Sequence, residues 1–267
     1  MSALACRGLV HDYPGPLRAL DGVDVSLAEG ELVAVIGPNG SGKSTLLKCL
    51  AGLLAPSAGE VQVDGQPLAL LEDRARARCL AVVPQFLPAL HDIAVRDFVR
   101  GGRYAHFGRW QGPAPVDHGA VERALQAADV GDLAGRWMSE LSGGQRQRVL
   151  VARALAQEAR YLLVDEPTNS LDPEHQLQIF ELIARAVADG RAALVATHDL
   201  NLAAQFATRM VLLDRGGVRA DGPVAHVLTP AVLQPVYGAS LRFGTFRAAD
   251  GAERPSVIPW RRDAPGG

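Results

Sequence analysis

Lysine is almost missing from this 267-residue chain: Lys43 and Lys48 are the only two among 27 basic residues. Arginine carries the rest, and with 29 acidic residues the formal net charge is −2. No overall basic field recommends nucleic acid or an anionic membrane surface as a partner. Cysteine is scarce as well. Cys6, Cys49 and Cys79 are odd in number, widely spaced and contain no C-x-x-C pair. That argues against a disulfide framework or a zinc site and fits reduced thiols in a cytosolic protein. No apolar stretch reaches the roughly 20 residues that a membrane-crossing helix needs. The opening MSALACRGLVHDYPGP carries no apolar run of signal-peptide length. The expectation is a chain that stays inside the cell and reaches a membrane only through a partner. Hydrophobic residues at 48% and charged residues at 21% are ordinary globular values, against wholesale disorder.

What the sequence does hold is an alternation of strand and helix patterns. Leu4 to Val10, then Val23, Val25 and Leu27 beyond a Pro14-Gly15-Pro16 turn, read as short strands. The run from Glu31 ending at Gly37 has the continuous apolar character of a buried parallel strand. Ser44 to Leu54 reads as a helix with Leu46, Leu47, Leu50 and Ala51 on one face. Val61 to Val63 predicts a strand that turns at Asp64-Gly65. Residues 87–157 read as mostly helical, punctuated by Gly101-Gly102 and by Gly112 to Pro115. Strand character returns at 161–164, 192–196 and 210–213. Between the first two, Pro173 to Ala188 predicts an amphipathic helix with Leu177, Phe180, Ile183 and Val187 as its inner stripe. Such alternation indicates an α/β fold with a mainly parallel sheet, into which the helical stretch is inserted. There is no internal repeat, and 261–267 is expected to be frayed.

Gly37-Pro38-Asn39-Gly40-Ser41-Gly42-Lys43-Ser44-Thr45 fits G-x-x-x-x-G-K-[ST] between a predicted strand and a predicted helix. In such a loop the glycines let backbone N–H groups converge on phosphate oxygens. Lys43 supplies a point charge to the β- and γ-phosphates, and Ser44 is placed to ligate Mg²⁺. The following helix dipole adds attraction for the anion. Downstream, the apolar strand 162–164 ends in Asp165 and Glu166. Asp165 is positioned for the water shell of the magnesium. Glu166 can polarise an attacking water as general base, a role worth about 10²–10⁴-fold in rate. The histidines His11, His91, His106, His118, His175 and His226 show no metal-ligand spacing and read as surface or structural.

The motifs together resemble the ABC-type ATPases. Tyr13 matches the family's aromatic residue that stacks on adenine, and Gly37 to Thr45 its Walker A loop. Gln85, in Val82-Val83-Pro84-Gln85, matches the Q-loop. Leu141-Ser142-Gly143-Gly144-Gln145 matches the signature motif. Asp165 and Glu166 match Walker B with its catalytic glutamate, Ser170-Leu171-Asp172 the D-loop, and His198 the switch histidine. They follow the family's order and spacing over roughly residues 3–240.

The resemblance implies a P-loop NTPase core with an N-terminal antiparallel β subdomain, a helical subdomain inserted at about 87–157, and a C-terminal extension from 241 to 267. It implies ATP and Mg²⁺ as ligands, with Ser44, Gln85 and Asp165 around the metal, and Glu166, Gln85 and His198 as the catalytic set. It also implies a partner, because the signature segment caps the γ-phosphate of ATP bound to a second subunit. One Walker A loop and one signature therefore call for a second copy, most simply a homodimer. Repair-type relatives carry long coiled-coil or zinc inserts, and ribosome-associated relatives carry paired cassettes with a basic linker. Neither pattern is present.

A single cassette is similar to the separate energy subunit of a bacterial importer, peripheral on the cytoplasmic face of the inner membrane. Its partners would be a permease dimer and, indirectly, a substrate-binding protein, with no nucleic acid. Residues 99–110, 227–238 and 254–259 look like the corresponding segments of iron–siderophore, haem and cobalamin importers. Thr208 departs from the Asp that the family often has before Arg209. Other importers, exporters and non-transport ATPases are the alternatives.

Overall fold

The structure is a computed structural model and describes residues 3–87, 93–107, 114–169, 171–247 and 251–260. The alternation at the start of the chain forms β1 (Ala3–Asp12) and β2 (Arg18–Ala28), paired antiparallel. Leu4 and Cys6 from β1, and Val23, Val25 and Leu27 from β2, point inward with the period of two that a half-buried strand requires. β3 (Leu32–Ile36) follows with all five residues buried, since a strand covered on both faces has no polar side to present. It feeds α1 (Lys43–Leu50), whose Leu46, Leu47 and Leu50 are buried as expected. The helix stops at Leu50 rather than Leu54, and Gly52 just beyond it adopts a φ of 69°, the left-handed conformation that closes helices. β4 (Ala58–Val63) and β5 (Gln66–Pro67) meet at Asp64-Gly65, both at positive φ, as a tight hairpin turn demands. These strands make an antiparallel sheet of order β2-β1-β4-β5.

α2 (Asp73–Cys79) leads into β6 (Leu80–Val83). The inserted stretch then folds as α3 (Val95–Arg100), α4 (Pro115–Ala127) and α5 (Gly143–Ala156), joined by short 3₁₀ turns. Strand and helix alternate again through β7 (Tyr161–Asp165), α6 (Pro173–Ala188), β8 (Ala192–Ala196), α7 (Leu200–Phe206) and β9 (Arg209–Asp214). With β10 (Gly217–Pro223) as an antiparallel edge, the second sheet has the order β10-β9-β3-β8-β7-β6. The five other strands run parallel, so β3, β6, β7 and β8 all end on one side, where open α/β sheets bind ligands. The architecture matches the expected α/β core with its antiparallel and helical subdomains.

Two expectations need correction. In α6 the buried stripe is Ile179, Phe180, Leu182, Ile183 and Ala186, whereas Leu177 is exposed and Val187 only partly buried. Helical periodicity identifies a face, but the position of the sheet and of α5 decides how much of it is covered. The C-terminal segment is also more than an extension. After α8 (Val224–Val227) and α9 (Pro230–Tyr237), β11 (Leu241–Arg247) and β12 (Glu253–Pro259) form a hairpin. Leu241 and Val257 enter one hydrophobic cluster with Ile36, Met210 and Leu233. Residues 261–267, expected to fray, lie outside the described residues, as do His91, the 108–113 stretch and Ser170.

The helical subdomain hides a cation that periodicity could not reveal. Arg103 is 3% exposed; its guanidinium donates to Asp117 at 2.9 Å, to Glu158 at 2.6 Å and to the Ala156 carbonyl at 2.9 Å. Burial alone would raise the Asp117 carboxyl, but the Ala114 N–H and Arg103 hold it below the ordinary carboxylate range. A carboxylate depressed in this way stabilises the fold at neutral pH, and that contribution is lost as pH falls through its folded value, below the ordinary carboxylate range. Removing one partner of a buried ion pair strands the other. Arg103→Ala is therefore expected to destabilise the protein by about 3–5 kcal/mol in chemical denaturation. An unchanged midpoint would show that the network contributes nothing.

Candidate functional site

The loop from Gly37 to Gly42 leaves the carboxyl end of β3 and turns directly into α1. Gly37 and Gly42 are sterically required. A Cβ at Gly37 would lie 2.2 Å from the Leu213 carbonyl oxygen, and one at Gly42 would lie 2.6 Å from that of Ala19. Lys43, 4% exposed, folds back over the loop and donates to the carbonyls of Gly37 at 2.9 Å and Pro38 at 3.2 Å. The same ammonium lies 3.6 Å from Glu166. A cleft of about 780 Å³ opens here, its wall including Tyr13, the whole Gly37–Thr45 loop, Gln85, Glu166, Asn169, His198 and Tyr237.

Four strand ends supply the groups that meet in this cleft. From β7, Asp165 accepts a 2.9 Å hydrogen bond from the Ser44 hydroxyl. Burial pushes its carboxyl up, countered by that hydroxyl and reinforced by the neighbouring Glu166 charge. Glu166 sits at the turn with a φ of 42°, unusual for a residue with a side chain. Strained backbone of this kind persists where the surroundings hold it, and the Glu166 N–H is fixed to the Ala196 carbonyl of β8 at 2.9 Å. Its Oε2 accepts from the Gln85 amide at 2.9 Å and from the Asn169 amide at 2.7 Å, and lies 3.8 Å from His198 Nδ1. Gln85 comes from the end of β6 and His198 from the end of β8. The Tyr13 hydroxyl shares a 3.2 Å hydrogen bond with Thr45, and its ring meets His11 edge-on at 4.7 Å.

The structure thus brings together Tyr13, Gly37–Thr45, Gln85, Asp165, Glu166 and His198. The signature residues stand apart, since none of Leu141 to Gln145 lines the cleft. Ser142 caps α5: its Oγ accepts from Gln145 N–H at 3.3 Å, and the Gln145 side chain accepts from Ser142 N–H at 3.1 Å. Ser142 and Gly143 are exposed, an N-terminus of the sort that receives anions. Leu141, grouped with them as an ATP contact, has its side chain buried in the helical core, so it serves packing rather than recognition. The segment lies instead against the start of α6, where a Cβ at Gly144 would come within 2.8 Å of the His175 ring. Asp172 caps α6 by accepting from His175 N–H at 3.0 Å and holds the His175 ring at 2.7 Å; these bonds keep its carboxyl below the usual range. Leu171 is partly buried against the core.

Sequence reading missed two polar members of the cleft. Asn169 stands three residues after Glu166, a spacing that offered a local clue. Tyr237 comes from the far end of the chain and offered none. The remaining described histidines behave as read: His11 bonds the Ala55 carbonyl at 3.0 Å, and His106 that of Gln157 at 2.8 Å. Among the described residues no group of three or more His, Cys, Asp or Glu could hold a metal by itself, and no helix is long and apolar enough to cross a membrane.

Known proteins with similar sequences and folds share this arrangement's framework. The hemin import ATP-binding protein HmuV of Nocardia farcinica is 45% identical over 240 residues, covering 88% of this chain and 82% of that protein. The cobalamin import ATP-binding protein BtuD of Halobacterium salinarum is 42% identical over 249 residues, and this chain spans 62% of its length. Among solved structures, a transporter assigned to the metal-chelate type, in an inward-facing conformation, superposes with a TM-score of 0.84 at 28% identity, covering 97% of this chain and 98% of that one. A bacterial ABC transporter cassette solved as a dimer gives 0.75 at 29% identity over 83% of this chain and 98% of that one. The profile described as ABC transporter matches residues 20–169, just over half of the length, and the chain belongs to the ABC transporter family as one of its ATP-binding cassettes.

Proposed function

We propose that this chain is the ATP-hydrolysing subunit of a membrane importer, acting as a pair of copies beneath a permease on the cytoplasmic face of the membrane. The observation that carries the reading is Glu166, a carboxylate at the end of β7 that faces the phosphate loop, held by Gln85 and Asn169 and flanked by Lys43 and His198. Lys43 exchanges its loop carbonyls for the β- and γ-phosphates. The loop's N–H groups bind the remaining phosphate oxygens, and the Tyr13 ring, which lines the cleft, stacks on adenine. Glu166 takes the proton of the attacking water, with Gln85 and Asn169 fixing the carboxylate that receives it. His198 contributes a further polar contact on the γ-phosphate side.

Ser44, Asp165 and the side-chain oxygen of Gln85 form an oxygen-only donor set, which suits Mg²⁺ held jointly with substrate phosphates. When bound, that ion neutralises phosphate charge during transfer. A protein-only cage is not needed for such an ion, in keeping with the sparse carboxylates around Ser44. The separation of Ser142 from this chain's own cleft supports a site completed by a second copy, as does the dimeric form of the similar cassette. The relatives named for hemin and cobalamin import support a cargo of that class, an iron chelate, haem or cobalamin.

The test is co-expression with a multi-spanning permease of the importer class. Co-purification as a complex whose ATPase activity rises with a cognate binding protein and chelate is the expected result. Recovery with ribosomes or DNA-repair proteins instead would overturn the importer reading.

A further inference from the structure

The first turns of α5 and α6 lie against each other, and His175, which belongs to none of the sequence motifs, makes the contact. A Cβ on Gly144 would stand 2.8 Å from the His175 Cδ2 and 3.1 Å from its Cγ. Both lie well inside the roughly 3.5–4.0 Å at which unbonded carbons rest. Gly143 is less crowded, since a Cβ there would be 3.8 Å from Leu171 Cδ2. Neither glycine adopts a positive φ, so the backbone would accept alanine, which is also the better helix former. Within this chain, it is the His175 ring that asks for glycine at 144.

The ring is held where it stands. Its Nδ1 lies 2.7 and 2.8 Å from the two carboxylate oxygens of Asp172. An ionised carboxylate only accepts, so Nδ1 carries the proton and donates it to a charged partner, the stronger kind of hydrogen bond. Asp172 also accepts from the His175 N–H at 3.0 Å. The next residue braces the same turn: the Gln176 amide donates to the Leu171 carbonyl at 3.1 Å and to that of Thr168 at 3.4 Å. One turn further on, Ile179 and Phe180 are fully buried. On the facing side, Leu141 is buried in the helical core and Ser142 and Gln145 cap each other. Neither helix start can retreat without breaking these contacts.

From this geometry we propose that His175 is a positioning residue of the two-copy ATP site: its ring, clamped by Asp172, is the stop that sets where Gly143 and Gly144 present their N–H groups to nucleotide held by the other copy. The inference rests on the two-copy reading of the signature segment. Backbone N–H groups stabilise phosphate charge only from about 2.7–3.1 Å. A stop behind the glycines fixes that distance before the copies meet, so less freedom is lost when they close. His175 is not part of the wall of its own cleft, so its effect falls on pairing and turnover rather than on the first binding of ATP.

His175→Ala in the full chain removes the stop. Turnover is expected to fall about tenfold. The ATP concentration that half-saturates pairing, read by size-exclusion chromatography in the Glu166→Gln chain, is expected to rise by a similar factor. ATP binding by the separate subunit should stay within about twofold of native. Gly144→Ala tests the contact itself: it is expected to lower the nucleotide-free thermal midpoint in the native chain and not in the His175→Ala chain. Native turnover and pairing in His175→Ala would overturn the proposal. So would an equal midpoint loss from Gly144→Ala in both backgrounds, because the ring is then not what the glycine accommodates. A fall in subunit ATP binding as large as the fall in pairing would also overturn it, as a general effect on the fold. If the Glu166→Gln chain never pairs on ATP, the two-copy reading fails and takes the proposal with it. Pairing that occurs but ignores His175 sinks the proposal alone.

Discussion

Glu166→Gln is expected to lower ATP turnover by about 10²–10⁴-fold, the usual range for removing a general base, while leaving ATP binding in place. The substitution keeps the side-chain length and one oxygen, so the amides of Gln85 and Asn169 retain an acceptor. It removes the charge that faces Lys43 at 3.6 Å and the lone pair that takes the proton of water. With hydrolysis blocked, ATP is not consumed, and the paired form that it stabilises should accumulate. Size-exclusion chromatography with and without ATP reads the pairing, and phosphate release reads the turnover. Wild-type turnover in this variant would falsify the assignment of Glu166 as base.

Ser142→Arg is expected to abolish both the ATP-dependent pair and turnover while the isolated subunit still binds ATP. The cleft owes nothing to residues 141–145 of its own chain, so monomer binding should stay within about twofold of wild type. The structure adds a complication. Ser142 is also the cap of α5, and losing a cap costs about 0.5–2 kcal/mol, so Arg both blocks the anion receptor and weakens the helix. Ser142→Asp separates the two effects. Asp caps a helix as well as Ser does, but places a negative charge where a partner's γ-phosphate would sit. Loss of pairing with an unchanged thermal midpoint in Ser142→Asp is the outcome that the two-copy site requires. A pair that still closes in both variants would mean that the signature does not contact ATP across an interface. Loss of ATP binding by either monomer would place the segment in its own site, against the geometry.

The phosphate loop was legible because its chemistry is local. A glycine-ended apolar strand, an anion-cradling loop and a helix occupy a single stretch, and the clash of any Cβ at Gly37 with Leu213 fixes the residue type. Asp165 and Glu166 could be read for the same reason, as carboxylates closing a strand with all five residues buried. The inner stripe of α6 was only partly legible: Phe180 and Ile183 are buried, but Leu177 is not. Periodicity gives a direction around the helix axis, whereas coverage depends on neighbours from elsewhere in the chain. Arg103 illustrates the same limit more sharply. An arginine in a Gly-Gly-Arg-Tyr stretch reads as solvated, and it is buried because Asp117 and Glu158 arrive from α4 and from just beyond α5 to neutralise it.

By itself, the sequence determined the chemistry at each strand end, because backbone conformation, glycine placement and residue type act over a few positions. Tertiary structure alone decided which of those ends face one cleft. The order β9-β3-β8-β7-β6 sets Lys43, Gln85, Glu166 and His198 around one another, and it leaves the signature segment outside its own cleft, with Gly144 beside His175. It also brings Tyr237 into the wall of that cleft from the far end of the chain. Contacts between distant segments arise from packing of the whole core, and no local pattern of residues encodes them.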